Sequence, residues 1–153
     1  MTDKLETAPT FSLPATQDGE ISSDALQGQA YVLFFYPRDD TSGCTKESIA
    51  FTGLKPDFDA LGVKVIGVSK DSMAKHEKFA AKHALGIPLI SDETGTLCED
   101  FGVWKEKSMY GKTYMGIERS TFLIDGTGAI VRAWRKVKVP GHAEEVLDAA
   151  KAL

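Results

Sequence analysis

One cysteine of this chain stands where a thiol could act as a nucleophile. Cys44 follows an apolar run at residues 31–36 that predicts a buried strand, and it lies just inside a helical pattern that begins near Ser42. The first turn of a helix has unpaired backbone N–H groups and the positive end of the helix dipole, and both stabilise an anion. Because the thiolate is the nucleophilic form of cysteine, this position predicts chemistry by attack through sulfur.

The spacing of Pro37, Thr41 and Cys44 resembles the signature of the peroxiredoxins, which are thiol-dependent peroxidases with a thioredoxin-like fold. Further blocks, in one order between residues 10 and 145, resemble the bacterioferritin-comigratory (PrxQ) group of that family. These blocks are residues 11–14, 43–47, 67–72, 88–92, 101–104 and 119–124. The resemblance implies an antioxidant enzyme of redox homeostasis that reduces hydrogen peroxide and organic hydroperoxides through a sulfenic acid on Cys44. It also implies thioredoxin, glutaredoxin or a small thiol as the reductant.

The resemblance assigns roles to four residues around Cys44. Thr41 would orient the peroxide through its hydroxyl, although a plain helix cap is an alternative for a threonine at this position. Arg119 would hold the thiolate and polarise the peroxide. Pro37 would shield the thiolate, and Glu47 would help to anchor the arginine. Such fixed donors matter because negative charge builds on the departing oxygen as sulfur attacks.

The second half of the cycle departs from the family pattern. A sulfenic acid must condense with a thiol before it over-oxidises. Many relatives carry a resolving cysteine five residues after the first, and others carry one 36 residues after it; here these positions hold Ile49 and Ala80. The remaining thiol, Cys98, is either a partly buried packing residue or a resolving residue reached by local unwinding. We expect a one-cysteine cycle, in which an external thiol reaches Cys44 at an exposed helix N-terminus.

Length, composition and net charge narrow the class of protein. A chain of 153 residues that is 42% hydrophobic suits a single domain over residues 1–153. The net charge of −4 argues against a nucleic-acid partner or an anionic membrane surface. The segment Met1–Glu6 lacks the apolar stretch of a signal peptide, so we expect a cytoplasmic location. No cofactor or metal motif is recognised, and a monomer or weak dimer is expected.

Apolar periodicity and turn residues predict an α/β chain. The expected fold is a thioredoxin-like one, with a central mixed β-sheet flanked by helices. Strands are predicted at residues 10–15, 19–22, 30–36, 63–68, 87–91, 121–125 and 129–134. Helices are predicted at 42–61 with an interruption near Gly53 and Pro56, at 73–85, at 96–101 and at 142–152, and residues 105–112 are predicted to be a polar loop.

Several other polar residues receive non-catalytic interpretations. His76 and His83 are expected at the surface, and Asp39 and Asp40 are expected to complement the dipole of the following helix. Two alternative functions stay open at this point. A disulfide oxidoreductase is disfavoured because the chain has no Cys-x-x-Cys motif. A peroxide-sensing switch or holdase would use Cys44 without efficient turnover.

Overall fold

The central strands of the computed structural model, which describes residues 7–153, follow apolar runs of the sequence. The segment Met1–Glu6, for which the sequence predicts no signal peptide, lies outside the described residues. The strands are β1 (Ser12–Ala15), β2 (Gly19–Ser22), β3 (Ala30–Phe35), β4 (Val63–Ser69), β5 (Leu89–Ser91), β6 (Trp104–Met109), β7 (Lys112–Ile117), β8 (Ser120–Ile124) and β9 (Ile130–Arg135). The helices are α1 (Ser42–Gly53), α2 (Lys55–Ala60), α3 (Met73–His83), α4 (Leu97–Asp100) and α5 (His142–Lys151).

Within residues 7–153, seven of the strands form one mixed sheet in the order β2-β1-β5-β4-β3-β8-β9. At its centre β3 pairs in parallel with β4 and antiparallel with β8. Both β3 and β4 are buried on both faces, as a central strand requires. β3 is an unbroken apolar run, and β4 is mostly apolar, with the half-buried Lys64 near its start. The register places Phe35, the last residue of β3, opposite Ser120, the first residue of β8. Residues that flank these two positions are therefore brought to the same edge of the sheet.

Helices pack on both faces of the sheet, and they divide the core in two. Alternate residues of β3 point to opposite sides, as the period of a strand requires. Val32, Phe34 and Tyr36 belong to the core under α1, α2, α3 and α5. Leu33 and Phe35 belong to the other core, which α4 covers together with the β1–β2 hairpin. The predicted sheet with flanking helices is confirmed, including the break between α1 and α2.

The predicted polar loop at residues 105–112 is wrong, because this segment belongs to a β-hairpin. Strands β6 and β7 pair antiparallel and form a separate two-stranded sheet among the described residues. The hairpin turns at Tyr110 and Gly111, whose φ angles of 53° and 77° suit a two-residue turn with both central residues in the left-handed region. Most residues of both strands are exposed, so no alternation of apolar residues marked them in the sequence.

A search of the described helices for membrane-spanning segments finds none with the required length and apolar character.

Candidate active site

The nucleophile candidate lies at the start of α1, the helix that follows β3 in the chain. Residues 37–41, called here the 37–41 loop, leave the end of β3, and α1 begins at Ser42. Cys44 is the third residue of the helix, at the end where unpaired N–H groups and the dipole favour an anion. Its side chain packs against the core beneath α1 and is 1% exposed. Thr41 and Ser42 at this helix terminus are exposed, as predicted, but the Cys44 thiol itself is buried.

Arg119 joins Cys44 to Glu47 in a chain of contacts. The residue precedes β8, and pairing of β8 with β3 brings it beside the start of α1. Its Nη2 donates to Cys44 Sγ at 3.2 Å, and its Nη1 donates to Glu47 Oε1 at 2.7 Å. Cys44 and Glu47 are three residues apart in α1 and so share one helical face. A single guanidinium can bond both because its donors are held in a rigid planar fork.

Gly43 leaves the space that the Arg119 guanidinium occupies, and the sequence alone did not indicate this role. A Cβ atom built on Gly43 would lie 3.2 Å from Arg119 Nη2, a separation tighter than ordinary van der Waals contact. Any larger residue would press on the nitrogen that donates to Cys44. The only sequence signal was the glycine's position directly before the cysteine.

Glu47 is an acid held in an unfavourable environment for its charge. Its side chain is 1% exposed, and Oε2 has no hydrogen-bond partner among residues 7–153. Burial raises the pKa of Glu47 from 4.5 to about 7, although the charge and hydrogen bond of Arg119 act in the opposite direction. The carboxyl is therefore partly protonated near neutral pH.

We expect Glu47→Gln to flatten the pH dependence of stability. Because folding raises the pKa of Glu47, its contribution is fully present below about pH 4.5 and is lost as the pH rises through about 7. Between about pH 5 and pH 8 this group should cost the wild type about 2 to 3 kcal/mol of unfolding free energy. Urea unfolding at both pH values measures the difference.

The control for this measurement is Glu77→Gln, which changes an exposed glutamate of α3. That variant should lose stability between the two pH values as the wild type does. If Glu47→Gln loses as much as the wild type, then Glu47 does not titrate in the folded protein over this range.

A cavity of about 460 Å³ opens beside the 37–41 loop. Pro37 and Thr41 form one side, and the β6–β7 hairpin forms the other with Trp104, Tyr114 and Ile117. The Thr41 hydroxyl donates to the carbonyl of Arg38 at 2.9 Å and makes no hydrogen bond to the first turn of α1, all of which is described. The alternative interpretation of Thr41 as a side-chain cap is thus wrong.

Lys107 is a second cation at this site that the sequence reasoning did not find. It projects from β6 into the wall of the cavity, and its ammonium donates to the carbonyl of Ile117. Burial and the charge of Arg119 lower the pKa of Lys107, while the charge on Cys44 acts against them. Its side chain lies across Gly116, where a Cβ atom would come within 3.2 Å of Lys107 Cδ. The hairpin that holds Lys107 had been interpreted as a loop.

Cys98 lies on the far side of the sheet from Cys44. Cys44 belongs to the core under α1, and Cys98 belongs to the core under α4. The Cys98 side chain is fully buried, and its backbone N–H donates to Asp92 Oδ2 at 2.8 Å. Burial raises the pKa of the Cys98 thiol well above its usual range, and the charge of Asp92 raises it further. This environment is typical of an unreactive packing cysteine.

Two predictions about polar residues near the loop are wrong. His76 is fully buried in α3, and its ring bonds Asp39. Asp39 is itself buried and does not serve the dipole of α1. His83 is half-buried, and with Lys82 it bonds Asp40. The 37–41 loop is therefore fastened to α3, a connection that no local sequence pattern signalled.

Over residues 7–153, one group of side chains brings three potential metal ligands together. Ligand atoms of Asp39, Asp71 and His76 lie within 4.8 Å of one another. These side chains already bond one another or nearby groups, since Asp71 Oδ2 accepts from the Asp39 N–H and from the Ser69 hydroxyl. We therefore interpret the group as a hydrogen-bond network.

Comparisons with known proteins identify the family to which this chain is similar. The sequence profile of the AhpC/TSA family matches residues 5–133. Peroxiredoxin Bcp of Xanthomonas campestris is 49% identical over 156 residues, which cover 99% of this chain and 98% of that protein. Peroxiredoxin Bcp of Bacillus subtilis is 45% identical over 144 residues, with 94% of this chain and 92% of that protein covered.

Solved structures give the same result for the fold. A structure of peroxiredoxin Q from Xanthomonas campestris superposes with a TM-score of 0.91 at 47% identity and covers 98% of both chains. Another, of the bacterioferritin comigratory protein of that organism, was determined to study its alkyl peroxide reduction activity. It superposes with a TM-score of 0.88 at 48% identity, covering 93% of this chain and 90% of that one. The thioredoxin-like fold predicted from the sequence is confirmed.

Proposed function

Because this chain belongs to the AhpC/TSA family, and within it to the Bcp/PrxQ peroxiredoxins, it is a thiol peroxidase, and we propose that Cys44 is its nucleophile. The observation that carries the proposal is the contact of Arg119 Nη2 with Cys44 Sγ at 3.2 Å. A fixed positive charge and the N-terminus of α1 act on the same sulfur, and both favour the thiolate.

In the proposed reaction the Cys44 thiolate attacks one oxygen of the peroxide. An S–O bond forms as the O–O bond breaks, and the electron pair of the O–O bond leaves with the second oxygen. Sulfur is oxidised to a sulfenic acid, and the leaving oxygen takes up a proton to become water or an alcohol.

Arg119, Thr41 and Pro37 complete the proposed catalytic set. The guanidinium would stabilise the charge that develops on the peroxide oxygens, and Glu47 fixes its orientation. Thr41 would turn its hydroxyl from the Arg38 carbonyl toward a bound peroxide, since it already lines the cavity. Pro37 lines the same cavity and contributes no backbone donor that would compete.

Hydrogen peroxide and organic hydroperoxides are the proposed substrates. The apolar wall of the cavity, formed by Trp104, Tyr114, Met115 and Ile117, supports the second class because it offers an alkyl chain a surface to cover. The activity studied for the Xanthomonas campestris relative points in the same direction.

We further propose that the sulfenic acid is resolved by an external thiol. The positions used by resolving cysteines in relatives hold Ile49 and Ala80, and Cys98 lies across the sheet with its thiol protonated. The external thiol would condense with the sulfenic acid, releasing water and leaving a mixed disulfide that a second thiol reduces. Thioredoxin, glutaredoxin or a small thiol would supply these two electrons. Because Cys44 is buried, opening of the 37–41 loop would precede this step.

We expect Cys98→Ser to keep wild-type turnover, within about twofold, with thioredoxin or dithiothreitol as reductant. A thiol that neither ionises nor reaches Cys44 can contribute nothing to resolution. Peroxidase assays over many turnovers measure the rate. Mass spectrometry after one equivalent of peroxide should show sulfenic acid on Cys44 in both the wild type and the variant.

Two results would contradict this picture in different ways. A Cys44–Cys98 disulfide in the wild type, with loss of thioredoxin-supported turnover in Cys98→Ser, would make Cys98 the resolving residue. Stoichiometric oxidation of Cys44 without turnover under every reductant would instead favour a peroxide-sensing switch or holdase.

We propose that residues 1–153 act as a single domain, which the match of the family profile to residues 5–133 supports. A monomer or weak dimer is proposed. A cytoplasmic location is proposed because the two cysteines are free thiols, as in most proteins of reducing compartments.

A further inference from the structure

The 37–41 loop is fastened to the protein at its middle residue, Asp39. The backbone N–H of Asp39 donates to Asp71 Oδ2 at 2.8 Å. Its Oδ1 accepts from the Tyr36 hydroxyl at 2.6 Å, and its Oδ2 lies 2.6 Å from His76 Nδ1. Asp39 stands between Pro37 and Thr41, so these bonds fix the segment that carries both proposed peroxide contacts.

The ring of His76 meets a hydrogen-bond acceptor on each side. Nε2 lies 2.9 Å from the carbonyl oxygen of Ile90, which can only accept, so Nε2 carries a hydrogen. Nδ1 faces the carboxyl of Asp39. The other oxygen of that carboxyl accepts from Tyr36, and burial together with the charge of Asp39 raises the pKa of Tyr36 so that its hydroxyl stays protonated. One exchangeable proton must therefore lie between His76 Nδ1 and Asp39 Oδ2.

Loss of that proton would place two lone pairs 2.6 Å apart inside the protein. Water cannot relieve the repulsion directly, because His76 is fully buried and Asp39 is 9% exposed. The other groups that face the pair offer no relief. Tyr36 from the end of β3 already donates to Asp39, Ile90 of β5 presents a carbonyl oxygen, and Asp71 adds a further carboxylate.

The loop depends on this anchor because its backbone is strained. Asp40 has a φ angle of 61°, in the left-handed region that a residue with a side chain seldom adopts. Asp40 also bonds Lys82 and His83 of α3, but Asp40 and Lys82 are exposed, and exposed ion pairs contribute little. The buried bond from Asp39 to His76 is therefore the main tie between the loop and α3.

We propose that His76 is a positioning residue for peroxide reduction, which holds the 37–41 loop in place through its buried hydrogen bond to Asp39. With this bond in place, Pro37 and Thr41 are held beside Cys44 in the geometry that peroxide requires. Without it, the loop is released and Cys44 becomes more accessible. The proposal rests on the proposed function for its readout and concerns only how the site is positioned.

The test compares His76→Phe and Asp39→Asn with the wild type at one pH. Phenylalanine fills the space of the ring but offers Asp39 no donor, so the loop should be released. In Asp39→Asn the side-chain amide can still bond both His76 Nδ1 and the Tyr36 hydroxyl, because it carries a donor and an acceptor. We expect the second-order rate of His76→Phe with peroxide to be about tenfold or more below that of the wild type, because small displacements of positioning groups cost that much. Asp39→Asn should stay within about twofold of the wild type.

Alkylation of Cys44 by iodoacetamide, which does not use the loop, is measured in parallel. It should not fall in either variant, and this result separates loop release from loss of the thiolate. Glu77→Gln on the exposed side of α3 is the matched control and should keep the wild-type rates. If the wild type is alkylated normally but reacts slowly with peroxide, the proposed function fails and the anchor is not at fault.

Nitrogen NMR of the unmodified protein decides the matter even if His76→Phe folds poorly. Nδ1 of His76 should carry a hydrogen that is held in the bond to Asp39 and exchanges slowly with water. His83, on the same helix, serves as an internal reference. A bare Nδ1 on His76 would overturn the proposal, as would a folded His76→Phe variant that reduces peroxide at the wild-type rate.

Discussion

Replacement of Cys44 by Ser is expected to abolish peroxide reduction, with a loss on the order of 10⁴-fold or more. A serine hydroxyl does not ionise near neutral pH, so neither the N-terminus of α1 nor Arg119 has an anion to stabilise. The fold should survive because serine differs from the buried cysteine by one atom. Stopped-flow measurement of peroxide consumption gives the rate, and circular dichroism reports the fold.

Cys98→Ser is the matched control, since it makes the same substitution at the other buried cysteine. The control should keep its reaction with peroxide, and its stability should change about as much as that of Cys44→Ser. Retained peroxide consumption in purified Cys44→Ser would show that another residue is the nucleophile and would overturn the proposed mechanism. Loss of activity in both variants would show instead that either core tolerates serine poorly.

Much of the fold could be predicted because its central strands are buried on both faces. The run of β3 is apolar without interruption and that of β4 is apolar apart from Lys64 and its last residue, so both strands can be recognised without knowledge of their partners. The β6–β7 hairpin gave no such signal. Its strands are mostly exposed, and its turn uses Tyr110 before Gly111 where asparagine or aspartate is more usual. The hairpin lacks an apolar sequence pattern because neither of its strands is buried on both faces.

The candidate site likewise contains residues that the sequence could indicate and residues that it could not. Cys44, Glu47 and Thr41 lie within one strand-loop-helix segment, and Arg119 stands next to a strand, so a motif could point to each of them. Gly43 matters through its separation from a guanidinium that is distant in sequence. His76 and Asp39 are 37 residues apart, and their contact depends on how α3 packs under the end of β3. Local periodicity carries no information about such pairs.

Arg119→Met should lower the second-order rate with peroxide by about 10²- to 10³-fold, the usual loss for one fixed donor at a developing negative charge. The substitution removes the donor to Cys44 Sγ and the positive charge beside it. Iodoacetamide alkylation should slow by a smaller factor, because only peroxide uses the guanidinium to stabilise its leaving oxygen. Arg119→Lys should recover part of the alkylation rate but little of the peroxide rate, since one ammonium cannot reproduce the two bonds of the fork.

Stability must be separated from catalysis in this experiment, because Arg119→Met also removes the partner of buried Glu47. An uncompensated buried carboxylate costs about 3–5 kcal/mol, and Glu47 should respond by taking up a proton, which makes the loss greatest at alkaline pH. The double variant Glu47→Gln with Arg119→Met carries no buried charge at this position and should recover most of that stability. It should remain as slow with peroxide as Arg119→Met alone. If the double variant regains the peroxide rate together with stability, then Arg119 supports the fold around Glu47 and does not act on the peroxide.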